Sequence, residues 1–251
     1  YGTILQKTMR VPRLYIDMPL TTGETINLPR DKAHHISNVL RMRIGDSIKL
    51  FNGSGDDYQS KVIEIGKKNA QIEIAESIQV ANESPLTINL CLAVARGQHM
   101  DFSIQKAVEL GVKNIIPVTS EFSNVKIQDD RVHNKLAHWQ NIIISATEQC
   151  GRSYLTQIQK PVSFVEWVRL DASKIRLILH PESLQSMANI SLPDNELTLM
   201  IGPEGGFSDA EVELAQENGC DPINLGPRIL RTETAVISAV SNAQQLWGDL
   251  N

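Results

Sequence analysis

The chain has 251 residues, a formal net charge of −5 and an isoelectric point near 5.7. Its 41% hydrophobic and 21% charged residues are typical of a globular protein with one large or two smaller domains. Non-specific nucleic-acid binding is disfavoured, because it depends on neutralising phosphates with Lys and Arg. The longest nearly apolar stretch, residues 86–95, is far shorter than the about 20 residues of a membrane helix. We therefore expect a cytoplasmic protein with no membrane span.

The charge is distributed unevenly along the chain. Residues 9–80 hold ten Lys and Arg against nine Asp and Glu, whereas residues 81–251 hold 13 against 20. Any RNA-binding surface is therefore expected in the less acidic N-terminal segment. The three cysteines are widely separated, and no His, Cys or carboxylate pattern has metal-ligand spacing. This predicts isolated thiols in a reducing compartment and no metal site.

Residues 9–80 have the pattern of a β-rich domain. Residues 1–8 precede Met9 and are interpreted as an expression tag or an upstream extension. Short extended runs separated by turn residues then predict a small barrel. The predicted strands are residues 13–18, 25–28, 47–51, 58–65 and 70–75.

One predicted helix, residues 32–42, interrupts these strands. Asp31 is its predicted N-cap, and apolar side chains at helical spacing form one face. Arg41 and Arg43 come near its end. Two interpretations of these arginines are equally weighted: they complement the negative end of the helix dipole, or they contact RNA. The apolar positions are Ile36, Val39 and Leu40.

After a linker at residues 82–85, strands alternate with helices, which predicts an α/β domain over residues 81–251 with a mostly parallel sheet. The predicted strands are residues 86–95, 114–118, 176–179, 197–201 and 222–225. The predicted helices are residues 100–110, 131–149, 164–170, 209–218 and 234–247.

A glycine-rich loop, residues 202–206 (GPEGG), connects a predicted strand to a helix that begins with the capping box Ser208-x-x-Glu211. Its glycines would let a ligand approach the backbone closely. The loop is neither a dinucleotide-binding nor a P-loop motif, and Glu204 favours a ligand of positive character over a triphosphate. A tight structural turn is the alternative interpretation.

A second loop, residues 225–231, also leads from a strand to a helix. Arg231 comes just before the helix start, where the dipole disfavours a cation, and this placement suggests binding. Thr232 suits a helix cap and Glu233 a first turn. A third strand ends at His180, which on its own is more typical of a structural residue. Because ligands bind beyond the carboxyl ends of parallel strands, we expect the three loops to line one small-molecule pocket.

These stretches resemble the RsmE-type family of ribosomal RNA uridine N3-methyltransferases, within the SPOUT superfamily. The resemblance implies a PUA-like barrel, a trefoil-knotted α/β domain, a homodimer, bound S-adenosylmethionine and 3-methyluridine in 16S rRNA as product. One departure is Ser120-Glu121-Phe122, where the family often has Ser-Glu-Arg; an RNA contact by that arginine is therefore lost or moved, and this loop is not among the expected substrate contacts. The matching segments are residues 9–13 (MRVPR), 35–42 (HISNVLRM), 105–111 (QKAVELG), 148–152 (EQCGR), 179–181 (LHP), 201–206 (IGPEGG) and 225–234 (LGPRILRTET).

Together with the resemblance, these residues can be given specific expected roles. Arg231 is the predicted donor that stabilises negative charge on the uracil, and Glu233 or Glu204 the predicted proton acceptor. The last helix is a predicted dimer face through Val236, Ile237, Val240 and Leu246, with ordinary core as the alternative. The predicted RNA contacts are Arg10, Arg13, Arg41 and Arg43. The predicted cofactor-binding residues are Leu179, His180, Ile201, Gly202, Pro203, Glu204, Gly206, Leu225, Gly226, Ile229 and Leu230.

The expected partner is 16S rRNA within the assembled small ribosomal subunit. Two competing hypotheses are a SPOUT methyltransferase acting on another RNA position and a non-catalytic RNA-binding protein. A nucleotide-binding enzyme is a third hypothesis, which the lack of a Walker lysine disfavours.

Overall fold

The computed structural model describes residues 11–66, 69–123, 129–170 and 173–250. It divides into two compact units. The first runs to Asn82 and also includes Gly151–Tyr154, whereas the second comprises Glu83–Cys150 and Leu155 onward. The sequence pattern gave no sign that residues 151–154 return to the first unit. None of the helices in the described ranges is long and apolar enough to cross a membrane.

The first unit is a five-stranded sheet around its own hydrophobic core, in the order β1-β3-β4-β5-β2. β1 and β3 are parallel, and the other pairs are antiparallel. Alternation explains the core: in β5, Ala70, Ile72 and Ile74 are buried, whereas the side chains between them are not. The strands are β1 (Arg13–Tyr15), β2 (Thr25–Asn27), β3 (Ser47–Phe51), β4 (Asp56–Ile65) and β5 (Ala70–Gln79).

The helix of this unit differs from the prediction. α1 (Arg30–His34) begins after Pro29, so Asp31 lies in its first turn and is not the N-cap. A π-helical turn, His35–Val39, follows, in which Leu40 N donates to His35 O. This wider turn changes the spacing of the predicted apolar stripe: Val39 is 62% exposed, whereas Ile36 is buried and Leu40 packs partly buried against the core.

The second unit contains a parallel sheet in the order β12-β10-β11-β6-β7-β8, with β9 also pairing with β7. The predicted α/β domain with a mostly parallel sheet is therefore confirmed; the trefoil knot stays a prediction. β12, β10 and β11 are neighbours, so the loops that follow them emerge side by side. The strands are β6 (Thr87–Ala93), β7 (Asn114–Thr119), β8 (Gln157–Ile158), β9 (Val162–Ser163), β10 (Arg176–Leu179), β11 (Glu196–Ile201) and β12 (Asp221–Ile223).

Two hydrophobic clusters surround this sheet. One joins α2, α3 and α6 through residues such as Ile104, Ile143 and Val240. The other joins α4 and α5, where Phe164 stacks on Phe207 with ring centroids 4.5 Å apart. The sheet thus lies between two helical layers, as the alternating pattern predicts. The helices are α2 (Gly97–Glu109), α3 (Asp129–Cys150), α4 (Phe164–Leu170), α5 (Asp209–Glu217) and α6 (Thr232–Trp247).

The apolar stripe of α6 belongs mainly to the core. Val236 and Val240 are fully buried within the unit, so they cannot form a dimer face. Ile237 is half-buried and Leu246 is 41% exposed. The ordinary-core alternative is therefore right for the first two residues, because α6 packs against α2 and the sheet.

Candidate active site

The loops that follow β10, β11 and β12 enclose one cavity of about 310 Å³. Volumes from about 300 Å³ upward are typical of small-molecule sites. The cavity is lined by Leu179, His180, Pro181, Ile201, Gly202, Pro203, Glu204, Gly205, Gly206, Phe207, Ile223, Asn224, Leu225, Gly226, Arg228, Ile229, Leu230, Thr232 and Ala235.

The loop after β11 is tightly folded on itself. Gly206 N donates to Pro203 O at 2.9 Å, and Gly206 has a φ of +75°. A Cβ atom on Gly202 would lie 2.9 Å from the carbonyl carbon of Gly206. Side chains larger than hydrogen are therefore excluded at Gly202 by the loop itself, whereas the space beside Gly206 Cα is open and allows close approach by a ligand. The exposed Glu204 carboxylate gives the loop its negative charge; its Oε1 lies 3.4 Å from Arg96 N.

The loop after β12 forms the opposite wall. Gly226 has a φ of +98°, and its N–H donates to Asn224 Oδ1 at 3.1 Å. Ile229 is 87% exposed. The two loops are joined where α6 begins, because Thr232 Oγ1 donates to Gly202 O at 3.3 Å.

This contact corrects the role predicted for Thr232. Arg231 occupies the N-cap position of α6 without a side-chain capping bond, so Thr232 is the first helical residue. Thr232 is buried, and its hydroxyl bonds to the neighbouring loop. The predicted capping box of α5, by contrast, is confirmed: Glu211 N donates to Ser208 Oγ and Ser208 N to Glu211 Oε2.

All 11 residues predicted to bind the cofactor line this one cavity. The structure thus brings together three loops that are distant in sequence; their role in binding stays a prediction. The side chain of His180 is half-buried in the lining. Gly205 and Arg228 also line the cavity and belong to the two glycine-containing loops predicted to do so; the lining residues that sequence reasoning missed are Pro181, Phe207, Ile223, Asn224, Thr232 and Ala235. Most of them adjoin predicted positions along the chain and could have been found by extending the three loops.

The two predicted catalytic residues lie beside the cavity at the start of α6. Arg231 is exposed and comes directly between Leu230 and Thr232, both of which line the cavity. The Glu233 side chain is only 17% exposed, and its Oε2 lies 3.2 Å from Nδ1 of His99. Glu233 Oε2 is shielded from solvent and accepts no hydrogen bond from the described residues. No motif had indicated His99, since it lies on α2, distant in sequence from Glu233.

Within the described ranges, no three His, Cys, Asp or Glu side chains are grouped so that they could hold a metal ion. None of the three cysteines, all of which lie in the described ranges, forms a disulfide: Cys91 and Cys220 are buried and Cys150 is half-buried.

Comparison with known proteins identifies the family. The RNA methyltransferase domain matches residues 82–244, and the RNA methyltransferase PUA domain matches residues 28–75. The ribosomal RNA small subunit methyltransferase E of Buchnera aphidicola is 38% identical over 244 residues, which is 96% of this chain and 99% of the relative. The Bacillus subtilis protein of the same name is 30% identical and covers 86% of this chain and 88% of its own length. The chain belongs to the ribosomal RNA small subunit methyltransferase E family.

Solved structures agree with this assignment. A ribosomal RNA small subunit methyltransferase E from Neisseria gonorrhoeae, bound to S-adenosylmethionine, is 38% identical with a TM-score of 0.91. A Legionella pneumophila structure in complex with the same cofactor is 38% identical with a TM-score of 0.92. Each comparison covers 96% of this chain and 100% of the other.

Within this family assignment, the predicted RNA contacts occupy different environments. Arg41 and Arg43 are exposed and fall inside the matched PUA segment. Arg41 lies beyond the π-helical turn, with a φ of +52°. Arg10 lies outside the described residues.

Arg13 is held in an internal network of the first unit. Its Nε and Nη2 donate to the two carboxylate oxygens of Asp57 at 3.1 and 2.6 Å. Nη2 also donates to Arg152 O and Ser153 Oγ, and the guanidinium lies 4.5 Å from the Phe51 ring centroid. The Arg13 and Asp57 side chains are 8% and 6% exposed. This geometry favours a structural role for Arg13 over an RNA contact.

Proposed function

We propose that this protein methylates N3 of one uridine in the 16S rRNA of the small ribosomal subunit, with S-adenosylmethionine as methyl donor. The observation that carries the proposal is the convergence of three loops on a single cavity within an RNA methyltransferase domain. Two solved relatives with 38% identity hold S-adenosylmethionine, which supports the choice of cofactor. The shared name of the relatives supports ribosomal RNA of the small subunit as the substrate.

The residues around the cavity fit this cofactor. When bound, S-adenosylmethionine supplies an electrophilic methyl group on a positively charged sulfur. Glu204 adds a negative charge to the lining that complements the sulfonium, and Arg228 is the cationic side chain of the lining. Gly202, Gly206 and Gly226 carry no side chain, so a ligand can approach the backbone of both loops closely, while the N–H groups of Gly206 and Gly226 themselves bond to Pro203 O and Asn224 Oδ1. Apolar side chains such as Leu179 and Ile223 provide surface for an adenine ring.

Uridine N3 carries a proton and becomes a nucleophile when that proton leaves. We assign proton acceptance to Glu233, whose carboxylate is largely shielded from water and close to His99. The N3–H electron pair is then available for the new N3–CH₃ bond. Glu204 is the second candidate acceptor, because its residue lines the cavity itself. A positioned acceptor of this kind contributes rate factors of about 10² to 10⁴.

Negative charge develops on the uracil carbonyl oxygens as the proton leaves. We assign its stabilisation to Arg231, whose guanidinium is always charged and presents several donors in one plane. Arg231 is exposed next to two lining residues, so it can reach a base at the cavity mouth without being needed for the cofactor.

The proposal also includes a site of action. The enzyme acts in the cytoplasm as a homodimer, on the assembled small subunit. Exposed Arg41 and Arg43 of the PUA segment contact the RNA backbone. An acidic protein needs such local basic positions, because its overall charge repels phosphate.

The test is transfer of labelled methyl from S-adenosylmethionine to small ribosomal subunits that lack the modification, followed by nucleoside analysis. Label in 3-methyluridine is the expected result. Label in another nucleoside would show that the enzyme transfers methyl groups but that uridine N3 is not its target. No label together with no cofactor binding would favour the non-catalytic RNA-binding protein instead.

A further inference from the structure

Phe122 lies exposed in the turn that follows the strand β7, beside the glycine-rich loop. Its side chain is 45% exposed. Its inner edge contacts the loop closely, because a Cβ atom on Gly205 would lie 3.0 Å from Phe122 Cβ. Glu121, Phe122, Ser123 and Gly205 form a shallow depression. Gly205 also lines the main cavity, so the aromatic ring lies next to the proposed cofactor site.

The turn that carries Phe122 is fixed by hydrogen bonds that do not involve the Phe122 side chain. Glu211 Oε1 accepts from Glu121 N at 2.8 Å, while its Oε2 accepts from Ser208 N at 3.0 Å. One buried carboxylate thus caps α5 and holds the Phe122 turn. Ser120 N donates to Ser123 Oγ, and Ser123 N donates to Ser120 O.

An exposed aromatic ring on such a fixed turn gains little for folding. Burying a Phe side chain stabilises a protein by transferring its surface out of water, and nearly half of this side chain remains in water. The ring offers no hydrogen bond and no charge, so its available interaction is stacking or apolar contact. Enzymes that modify a nucleobase take it out of its stack and commonly hold it against aromatic side chains.

We propose that Phe122 is the surface on which the target uracil stacks while it is methylated. This rests on the proposed function, which requires a uracil base beside the cavity. Gly205 lines both the cavity and the shallow depression that contains Phe122, so the two are adjacent. The lack of a side chain at Gly205 allows Phe122 to lie close to the loop. Glu211 holds the ring in place through Glu121, so that capping and base placement depend on one side chain.

The test compares Phe122→Leu, Phe122→Tyr and the wild-type enzyme on small ribosomal subunits that lack the modification. Phe122→Leu keeps apolar contact with Gly205 but loses the aromatic face. We expect kcat/KM to fall roughly tenfold or more in Phe122→Leu, and to be largely retained in Phe122→Tyr. The Kd for S-adenosylmethionine and the thermal unfolding midpoint should stay unchanged in both.

A matched control is Phe102→Leu, because Phe102 is a similarly exposed phenylalanine, 42% exposed, on α2. This variant should leave kcat/KM unchanged. A second measurement uses subunits carrying 5-iodouridine at the methylated position, irradiated with the wild-type enzyme. The crosslink should map to Phe122 by peptide mass spectrometry.

Full kcat/KM in Phe122→Leu, or a crosslink that maps to another residue, would overturn this proposal and leave the proposed function standing. A wild-type enzyme that makes no 3-methyluridine would overturn both.

Discussion

Nδ1 of His99 lies 3.2 Å from Oε2 of Glu233, across the gap between α2 and the first turn of α6. The histidine side chain is 41% exposed, whereas the glutamate side chain is 17% exposed. Glu233 has an ordinary structural role as an acidic residue in the first turn of a helix, where the dipole favours it. Proximity to His99, solvent shielding and a position beside the cavity are what single it out as a candidate proton acceptor.

Glu233→Gln should lower kcat by about 100-fold or more, because the amide cannot accept the uridine N3 proton. The Kd for S-adenosylmethionine should change little, since Glu233 does not line the cavity. Single-turnover methyl transfer and cofactor titration measure the two quantities. Glu213→Gln, at an exposed position of α5, is the matched control. If Glu204→Gln abolishes methyl transfer while Glu233→Gln does not, the acceptor is Glu204.

The contact between His99 Nδ1 and Glu233 Oε2 would let His99 position the Glu233 carboxylate, so the effect of replacing His99 should not add to that of replacing Glu233. His99→Gln should lower kcat by less than Glu233→Gln, and the double variant should equal Glu233→Gln alone. Additive losses in this double-mutant cycle would show that the two residues work independently.

Arg231→Ala should reduce kcat by about 100-fold or more, since removing one donor to a developing oxyanion has this effect in other enzymes. Cofactor affinity should be retained, because Arg231 does not line the cavity. Arg169→Ala, at an exposed position of α4, provides the control for loss of one surface arginine. Retained turnover in Arg231→Ala would remove Arg231 from the mechanism.

The candidate site was predictable to the extent that it is local in sequence. Each of the three loops follows a strand, two of them contain glycines that are visible in the sequence, and the rule for parallel sheets places all three at one edge. His99 beside Glu233 and Glu211 beneath the Phe122 turn bring together distant parts of the chain. Such pairs depend on helix orientation, which periodicity does not specify.

The fold, too, was predictable only where its signal is local in the sequence. Apolar and polar residues alternate along the start of β5, and β6 is a nearly continuous apolar run. These two patterns correctly predicted both segments as strands. The π-helical turn after α1 was missed because it differs from an α-helix by one residue in its hydrogen bonding, which leaves no compositional signal. Gly151–Tyr154 joins the first unit through Ser153, whose hydroxyl donates to Asp57. The sequence around Ser153 contains no pattern that predicts this contact.

Arg13→Ala should destabilise the first unit by about 3 kcal/mol, because it leaves the buried Asp57 carboxylate without its main partner. Urea unfolding measures the change. Lys49→Ala is the matched control: Lys49 Nζ lies 3.8 Å from the same carboxylate but is 38% exposed, so its loss should cost little. If the Arg13→Ala variant unfolds at the same urea concentration as the wild type but binds RNA more weakly, Arg13 contacts RNA and its proposed structural role is wrong.

Arg41 and Arg43 should contribute to RNA binding through phosphate contacts. Arg41→Ala and Arg43→Ala should each weaken binding to small ribosomal subunits and reduce the slope of log K against log salt by about 1. The measurement is binding affinity across a salt series, with thermal unfolding to confirm that each variant is folded. Lys61→Ala removes an exposed positive charge from β4 of the same unit and should leave the slope unchanged. If all three variants reduce the slope equally, the effect is one of net charge. If neither arginine variant changes it, the alternative interpretation, a favourable interaction with the end of the helical segment, accounts for these residues.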